Sequence, residues 1–194
     1  MNMLTESYLP TRYGDFTVRA YDSGHEDFPH LVFFTKDYAA KEAVGVRIHS
    51  ECMTGDVFGS ARCECGEQLE FSMKWIQQYE GVLIYLRQEG RGIGLVNKLK
   101  AYNLQDQGFN TCDANTELGL PEDARTYEVA IKMLKDLRIG KVKLLTNNPL
   151  KLNSLEEAGI QVVERVPIEI PPTPTNESYL RVKKDLMGHM LKLD

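Results

Sequence analysis

Residues 81–94 read GVLIYLRQEGRGIG, and this stretch decides the fold. Its first half is a short, unbroken apolar run of the kind buried on both faces of a sheet. A polar, glycine-rich turn follows, and a helix opens behind it. There Leu95, Leu99 and Tyr102 share a face, and Gly108 is placed for a C-cap. Just upstream, Leu69, Met73, Ile76 and Tyr79 recur at helical spacing and predict a helix from about Gly66 to Tyr79. Further out, LVFFT (31–35), AVGVRIH (43–49), VKLLT (142–146) and IQVVERV (160–166) read as strands. Helices are predicted from about Ala124 to Leu137, with Tyr127, Ile131 and Leu134 inward, and from Pro149 onward. A closing amphipathic helix follows the rigid PPTPTN connection, and the first ~40 residues are more hairpin-like. The expected fold is an α/β three-layer sandwich, with a mixed, largely parallel sheet, helices on both faces and residues 1–194 in a single domain.

Composition excludes several classes of function. With 42% hydrophobic and 26% charged residues, the chain is not intrinsically disordered. No apolar run approaches the ~20 residues of a membrane helix. The start, MNMLTESYLPTRYGDF, has neither a basic end nor a continuous apolar stretch, so no signal peptide and a cytoplasmic location are expected. A net charge of −5 argues against a polymeric nucleic acid as partner. Four cysteines in such a chain point to thiols or a metal site rather than a disulfide framework.

The polar segments RIHSE, RQEG and LTNN each end a predicted strand, where α/β sheets bind ligands. Beside the first stands SECMTGDVFGSARCEC, with Cys52, Cys63 and Cys65. Three thiolates with a fourth position open to water make a catalytic zinc arrangement, and the C-x-C pair then needs a turn. Inert buried thiols are the simpler alternative, and Cys112 reads as one. His49 abuts the cluster and reads as a hydrogen-bonding residue rather than a ligand. The turn RQEGRGIGL is neither a dinucleotide fingerprint nor a Walker loop, yet glycines at a helix start favour an anion. Arg47, Arg91, Arg125 and Lys151 stand near loop–helix junctions and, converging, would pair a small polyphosphate. Asp123 could cap the helix that follows, and composition alone favours that role over proton exchange with Arg125.

Taken together, RIHSECMTGDVFGSARCECGEQLE, YLRQEGRGIGLVNKLKAYNLQDQG, DARTYEVAIKML and LLTNNPLKL resemble the GTP cyclohydrolase II family. The resemblance covers most of the chain from about Arg47 to Gly159, with the segments in family order. It implies conversion of GTP to 2,5-diamino-6-ribosylamino-4(3H)-pyrimidinone 5′-phosphate with release of formate and pyrophosphate, the first committed step of riboflavin biosynthesis. It implies Cys52, Cys63 and Cys65 as ligands of one Zn²⁺ per subunit, Asp123 as proton acceptor and Arg125 as nucleophile. Tyr102 matches an active-site tyrosine. Arg47, Ile48, His49, Ser50, Glu51, Gln68, Glu89, Gly90, Arg91, Thr111, Thr146 and Lys151 match positions that contact GTP. Mg²⁺ with the triphosphate and a homodimer are implied as well. With 194 residues there is no room for the dihydroxybutanone phosphate synthase that many bacteria fuse to this module, so the stand-alone form is expected.

Physical chemistry sharpens these expectations. Zinc would activate water for attack on C8 of guanine, and Glu89 or Glu51 could accept the guanine N1–H and amino hydrogens. An ordinary guanidinium is neutral in only about one part in ten million at pH 7. Arg125 as nucleophile therefore requires a strong perturbation, and charge stabilisation is the alternative. Two other readings are a relative that retains the formyl group and a non-catalytic nucleotide-binding protein with structural zinc.

Overall fold

The computed structural model describes residues 2–25, 27–121 and 123–193. In chain order the elements are β1 (Met3–Thr11), β2 (Gly14–Tyr21), β3 (His30–Phe34), β4 (Val44–Ser50), α1 (Met53–Asp56), α2 (Cys65–Tyr79), β5 (Gly81–Leu86), α3 (Leu95–Gln105), α4 (Thr111–Glu117), α5 (Glu128–Asp136), β6 (Lys141–Leu145), α6 (Pro149–Glu157), β7 (Gln161–Val166) and α7 (Glu177–Asp185). Short 3₁₀ turns lie at Tyr38–Ala40 and Glu89–Gly92. These elements pack as two compact units. One comprises Met1–His49, Gln68–Arg87 and Tyr127–Ile168, and the other Ser50–Glu67, Gln88–Thr126 and Glu169–Asp194.

The first unit is built on a seven-stranded sheet in the order β1-β2-β3-β5-β4-β6-β7. β4 pairs parallel with β6, and β6 with β7. The antiparallel part reaches beyond the N-terminal hairpin, since β3 also pairs antiparallel with β5. The sheet is thus mixed, as expected, and helices cover both of its faces.

β5 shows why. Its residues alternate between two apolar clusters, as the period of a strand dictates. Val82, Ile84 and Leu86 join Val46 and Ile48 of β4, Met133 and Leu134 of α5 and Leu155 of α6. Leu83 points the other way, with partly buried Tyr85, to Met73 and Ile76 of α2. Each such fully buried side chain is worth about 1.5–3 kcal/mol over its exposed state. On the α2 face Gly45 has a steric reason: a Cβ there would lie 2.2 Å from the Trp75 ring.

Several local expectations shift. Tyr79 ends α2 half-exposed and packs on Trp75, with ring centroids 4.4 Å apart, instead of facing the core. In α3 the buried residue is Ala101, and Leu99 is exposed. α5 begins at Glu128, four residues later than its apolar spacing predicts, and α7 ends at Asp185. The short α1 and α4 carry too few periodic positions to be read from sequence. Pro149 opens α6 as expected, behind Asn148, whose side chain accepts from the Leu150 N–H. Among the described residues, no helix is long and apolar enough to cross a membrane.

Candidate metal centre and active site

Cys52 follows the end of β4 by two residues, and Cys65 opens α2. Cys63 lies in the loop before it, so the C-x-C pair does fall on a turn. The three sulfurs lie within 4.8 Å of one another, the one such cluster of three candidate ligands among the described residues. Cys52 Sγ and Cys63 Sγ are 3.7 Å apart. A tetrahedral zinc with Zn–S bonds of ~2.3 Å separates its sulfurs by ~3.8 Å, so this spacing suits the ion. Gly55 faces the same centre: a Cβ on it would stand 3.2 Å from both Cys52 Sγ and Cys63 Sγ. Gly66 allows this closeness, since a Cβ there would meet the Gly55 carbonyl oxygen at 2.5 Å. Cys112 is buried in α4, outside the cluster.

Charge at the cluster is organised by Lys98 of α3. Its Nζ donates to Cys52 Sγ at 3.1 Å, to Thr54 Oγ1 at 2.9 Å and to Glu89 Oε1 at 2.9 Å. Hydrogen bonds from the Cys63 and Cys65 thiols, then the Lys98 charge, hold Cys52 far below the ordinary thiol range. Its bond to Cys52 pushes Cys63 up to about 11. Burial works against the Lys98 ammonium, but Cys52 and Glu89 outweigh it and keep it protonated. Glu89 is fully engaged: Oε2 accepts from the Met53 N–H at 2.6 Å, and Oε1 accepts from the Gly90 N–H at 2.7 Å as well as from Lys98. Tyr102, one turn beyond Lys98, has its ring 4.7 Å from the Arg62 guanidinium and 5.8 Å from Lys98 Nζ. Burial raises its phenol above the ordinary value.

The glycine-rich turn bends through Gly90 and Arg91, both left-handed with φ near 60°. Left-handed backbone is common in glycine and unusual for arginine, so the turn is held by its surroundings. The Arg91 carbonyl accepts from the Ala124 N–H at 3.0 Å, tying the turn to the segment that carries Asp123 and Arg125. Asp123 does not cap α5; Tyr127 occupies that position. The Asp123 carboxylate instead accepts from Arg125 Nε at 2.8 Å and from its terminal nitrogen at 2.5 Å, a two-pronged fork. Burial alone would raise the Asp123 carboxyl, but Arg125 hydrogen bonds and charge, with the Arg91 charge, hold it below the ordinary value.

The same unit also holds Ser50, Glu51 and Thr111, the last opening α4 behind the Asn110 cap. The sheet unit holds Arg47, Ile48, His49, Gln68, Thr146 and Lys151. β4 sends Ile48 into the core, whereas Arg47 and His49 face the opposite side. There Arg47 donates to Gln68 Oε1 at 3.0 Å and to the Leu145 carbonyl at 3.2 Å, and His49 stacks on Tyr85. Buried Lys151 donates to the Ile48 carbonyl at 2.8 Å, with its Nζ 5.5 Å from the Tyr127 ring. Thr146 closes the turn after β6 by accepting from the Asn148 N–H at 3.0 Å.

Sequence reasoning missed Lys98, which no local motif sets apart from Lys100 beside it. It also missed the ion pair between Glu64 and Lys183, whose partners are 119 residues apart.

Known proteins resemble this chain in sequence. The family model described as GTP cyclohydrolase II matches residues 2–167. The GTP cyclohydrolase-2 of Picrophilus torridus is 51% identical over 96% of this chain and 97% of that protein. The riboflavin biosynthesis protein RibBA of Chlorobium phaeovibrioides is 51% identical over 96% of this chain, and that of Chlamydia trachomatis 47% identical over 98%. The chain spans under half the length of these two relatives, 46% and 45%. Among solved structures, a two-domain 3,4-dihydroxy-2-butanone 4-phosphate synthase from A. baumannii covers 87% of this chain and 40% of that chain at 20% identity. Its TM-score is 0.49, too distant a likeness to bear on the site. The three-cysteine loop, the glycine-rich turn and the Asp123–Arg125 segment all fall inside the residues that the family model matches, and the chain belongs to the GTP cyclohydrolase II family.

Proposed function

We propose that this chain is a zinc-dependent hydrolase converting GTP to 2,5-diamino-6-ribosylamino-4(3H)-pyrimidinone 5′-phosphate, with release of formate and pyrophosphate. In this reading it commits GTP to riboflavin biosynthesis. The observation that carries the reading is the three-sulfur cluster around Gly55, flanked by Lys98, in a chain of this family. Cys52, Cys63 and Cys65 would hold the ion and leave a fourth position for water or substrate. Zinc bound there supplies Lewis acidity and lowers the pKa of water to about 7.

The chain's own residues divide the remaining work. Glu51 is proposed to accept the guanine N1–H and amino hydrogens, while Glu89 acts through the loop and turn that its oxygens hold. Ile48 contributes through its backbone, since its side chain lies in the core. Arg47, His49, Ser50, Gln68, Gly90, Thr111 and Thr146 are proposed as further GTP contacts. Arg91 and Lys151 pair the phosphates, with Mg²⁺ accompanying the triphosphate. Tyr102 faces the opening ring. Arg125 acts on the phosphoryl group as a protonated charge stabiliser, because a carboxylate depressed by its bonds to Arg125 is a poor acceptor for the guanidinium proton. A homodimer and a cytoplasmic location go with this reading.

The test is one incubation with GTP in which formate, pyrophosphate and the diaminopyrimidine are measured together, beside zinc content. All three products with stoichiometric zinc support the reading. Pyrophosphate with a retained formyl group identifies the formamidopyrimidine product instead. Unchanged GTP with zinc present identifies a nucleotide-binding protein.

A further inference from the structure

The family match ends at residue 167, and α7 lies beyond it. α7 nonetheless reaches the metal loop. Lys183 Nζ donates to Glu64 Oε1 at 2.6 Å, with Lys183 9% and Glu64 2% exposed. Glu64 is the single residue between Cys63 and Cys65. One helical turn earlier, Tyr179 places its ring 4.6 Å from the Lys183 ammonium, and the same ring lies 5.9 Å from the Arg91 guanidinium. One face of α7 therefore touches both the cysteine turn and the glycine-rich turn.

A buried ion pair is a poor source of stability, because desolvating two charges offsets most of their attraction. What it does impose is geometry. The residue in the middle of a C-x-C turn shares its backbone with both flanking cysteines, so anchoring its side chain also orients the two sulfurs. An outer partner that orients a ligand is normally worth about 10–100-fold in metal affinity or activity.

We propose that Lys183 is a positioning residue of the metal centre, holding the 63–65 turn through Glu64 so that Cys63 and Cys65 converge with Cys52. This rests on the zinc reading above. The experiment measures zinc retention of the full chain against a chromophoric chelator, with near-ultraviolet circular dichroism to report folding. Lys183→Met is expected to weaken retention about 10–100-fold, and Lys183→Arg to recover most of the loss. Wild-type retention in folded Lys183→Met overturns the proposal. Should Lys183→Met prevent folding, the double variant Glu64→Gln, Lys183→Met removes both charges. Weakened zinc retention in that protein supports the proposal, and wild-type retention overturns it. A purely structural role would lower the melting temperature of the metal-free protein and leave zinc retention unmoved. Wild-type protein that takes up no zinc defeats the zinc reading itself, and that arm alone distinguishes the two failures.

Discussion

Lys98 aims its ammonium at the sulfur of Cys52, 3.1 Å away, and at the carboxylate of Glu89, 2.9 Å away. One cation thus balances the Cys52 thiolate and braces the loop that carries it. Lys98→Met should lower formate release about 10–100-fold, the usual cost of losing an outer-shell partner. Lys98→Arg should retain part of the rate. Steady-state formate assays on zinc-loaded protein check this, and an unchanged rate in Lys98→Met would remove the residue from the metal centre.

The cysteines divide three to one. Cys52→Ser, Cys63→Ser and Cys65→Ser should each lose zinc and formate release, because a harder oxygen ligand replaces a thiolate. Cys112→Ser should leave both nearly unchanged, since Cys112 stands in α4 outside the sulfur cluster. Metal analysis of the four purified variants is sufficient. A zinc-replete Cys63→Ser protein with full activity would defeat the assignment.

Gly55 offers a steric test that leaves every ligand in place. The added Cβ of Gly55→Ala would stand 3.2 Å from two of the sulfurs and 3.1 Å from the Cys65 Cβ, so the cluster must open by a few tenths of an ångström. Zinc affinity should fall about tenfold, as displaced ligand geometry normally costs, with the fold retained. Titration against a chelator reads the change.

Arg125→Lys separates the two roles of the guanidinium. Lysine keeps the charge and loses the planar fork. A charge stabiliser should retain measurable pyrophosphate release in Arg125→Lys and almost none in Arg125→Ala. Covalent attack by Arg125 instead predicts a guanylyl adduct on the wild-type chain, which rapid-quench intact-mass measurement would detect.

Asp123 sets a pH dependence. Its folded pKa lies below the ordinary 3.8, so the unfolded chain binds that proton more readily. Stability from the Asp123–Arg125 pair is therefore complete above the unfolded value and lost as pH falls through the folded one. Asp123→Asn cannot titrate there. The stability difference between wild type and Asp123→Asn should shrink as pH is lowered below about 4, measured by urea unfolding.

Local pattern carried the strands well, because burial on both faces leaves a continuous apolar run such as 81–86 and alternation leaves a mark every second residue. Helix boundaries were less legible. The apolar spacing of Tyr127, Ile131 and Leu134 belongs to α5, but nothing in it shows that residues 124–126 stay out of the helix. Those residues are held elsewhere, by the Arg91 carbonyl and by the Asp123–Arg125 fork. Tyr79 misled for a related reason: its spacing is helical, yet α2 ends there and leaves the ring on Trp75.

By itself the sequence determined the α/β alternation, the three cysteines that come together in one cluster and the family, because apolar period, thiol spacing and motif order are all properties of short segments. Only the tertiary structure decided which charges meet. Lys98 finds Cys52 across 46 residues, and Lys183 finds Glu64 across 119. A buried charge must be paired, but its partner is chosen by packing, and sequence spacing holds no record of that choice.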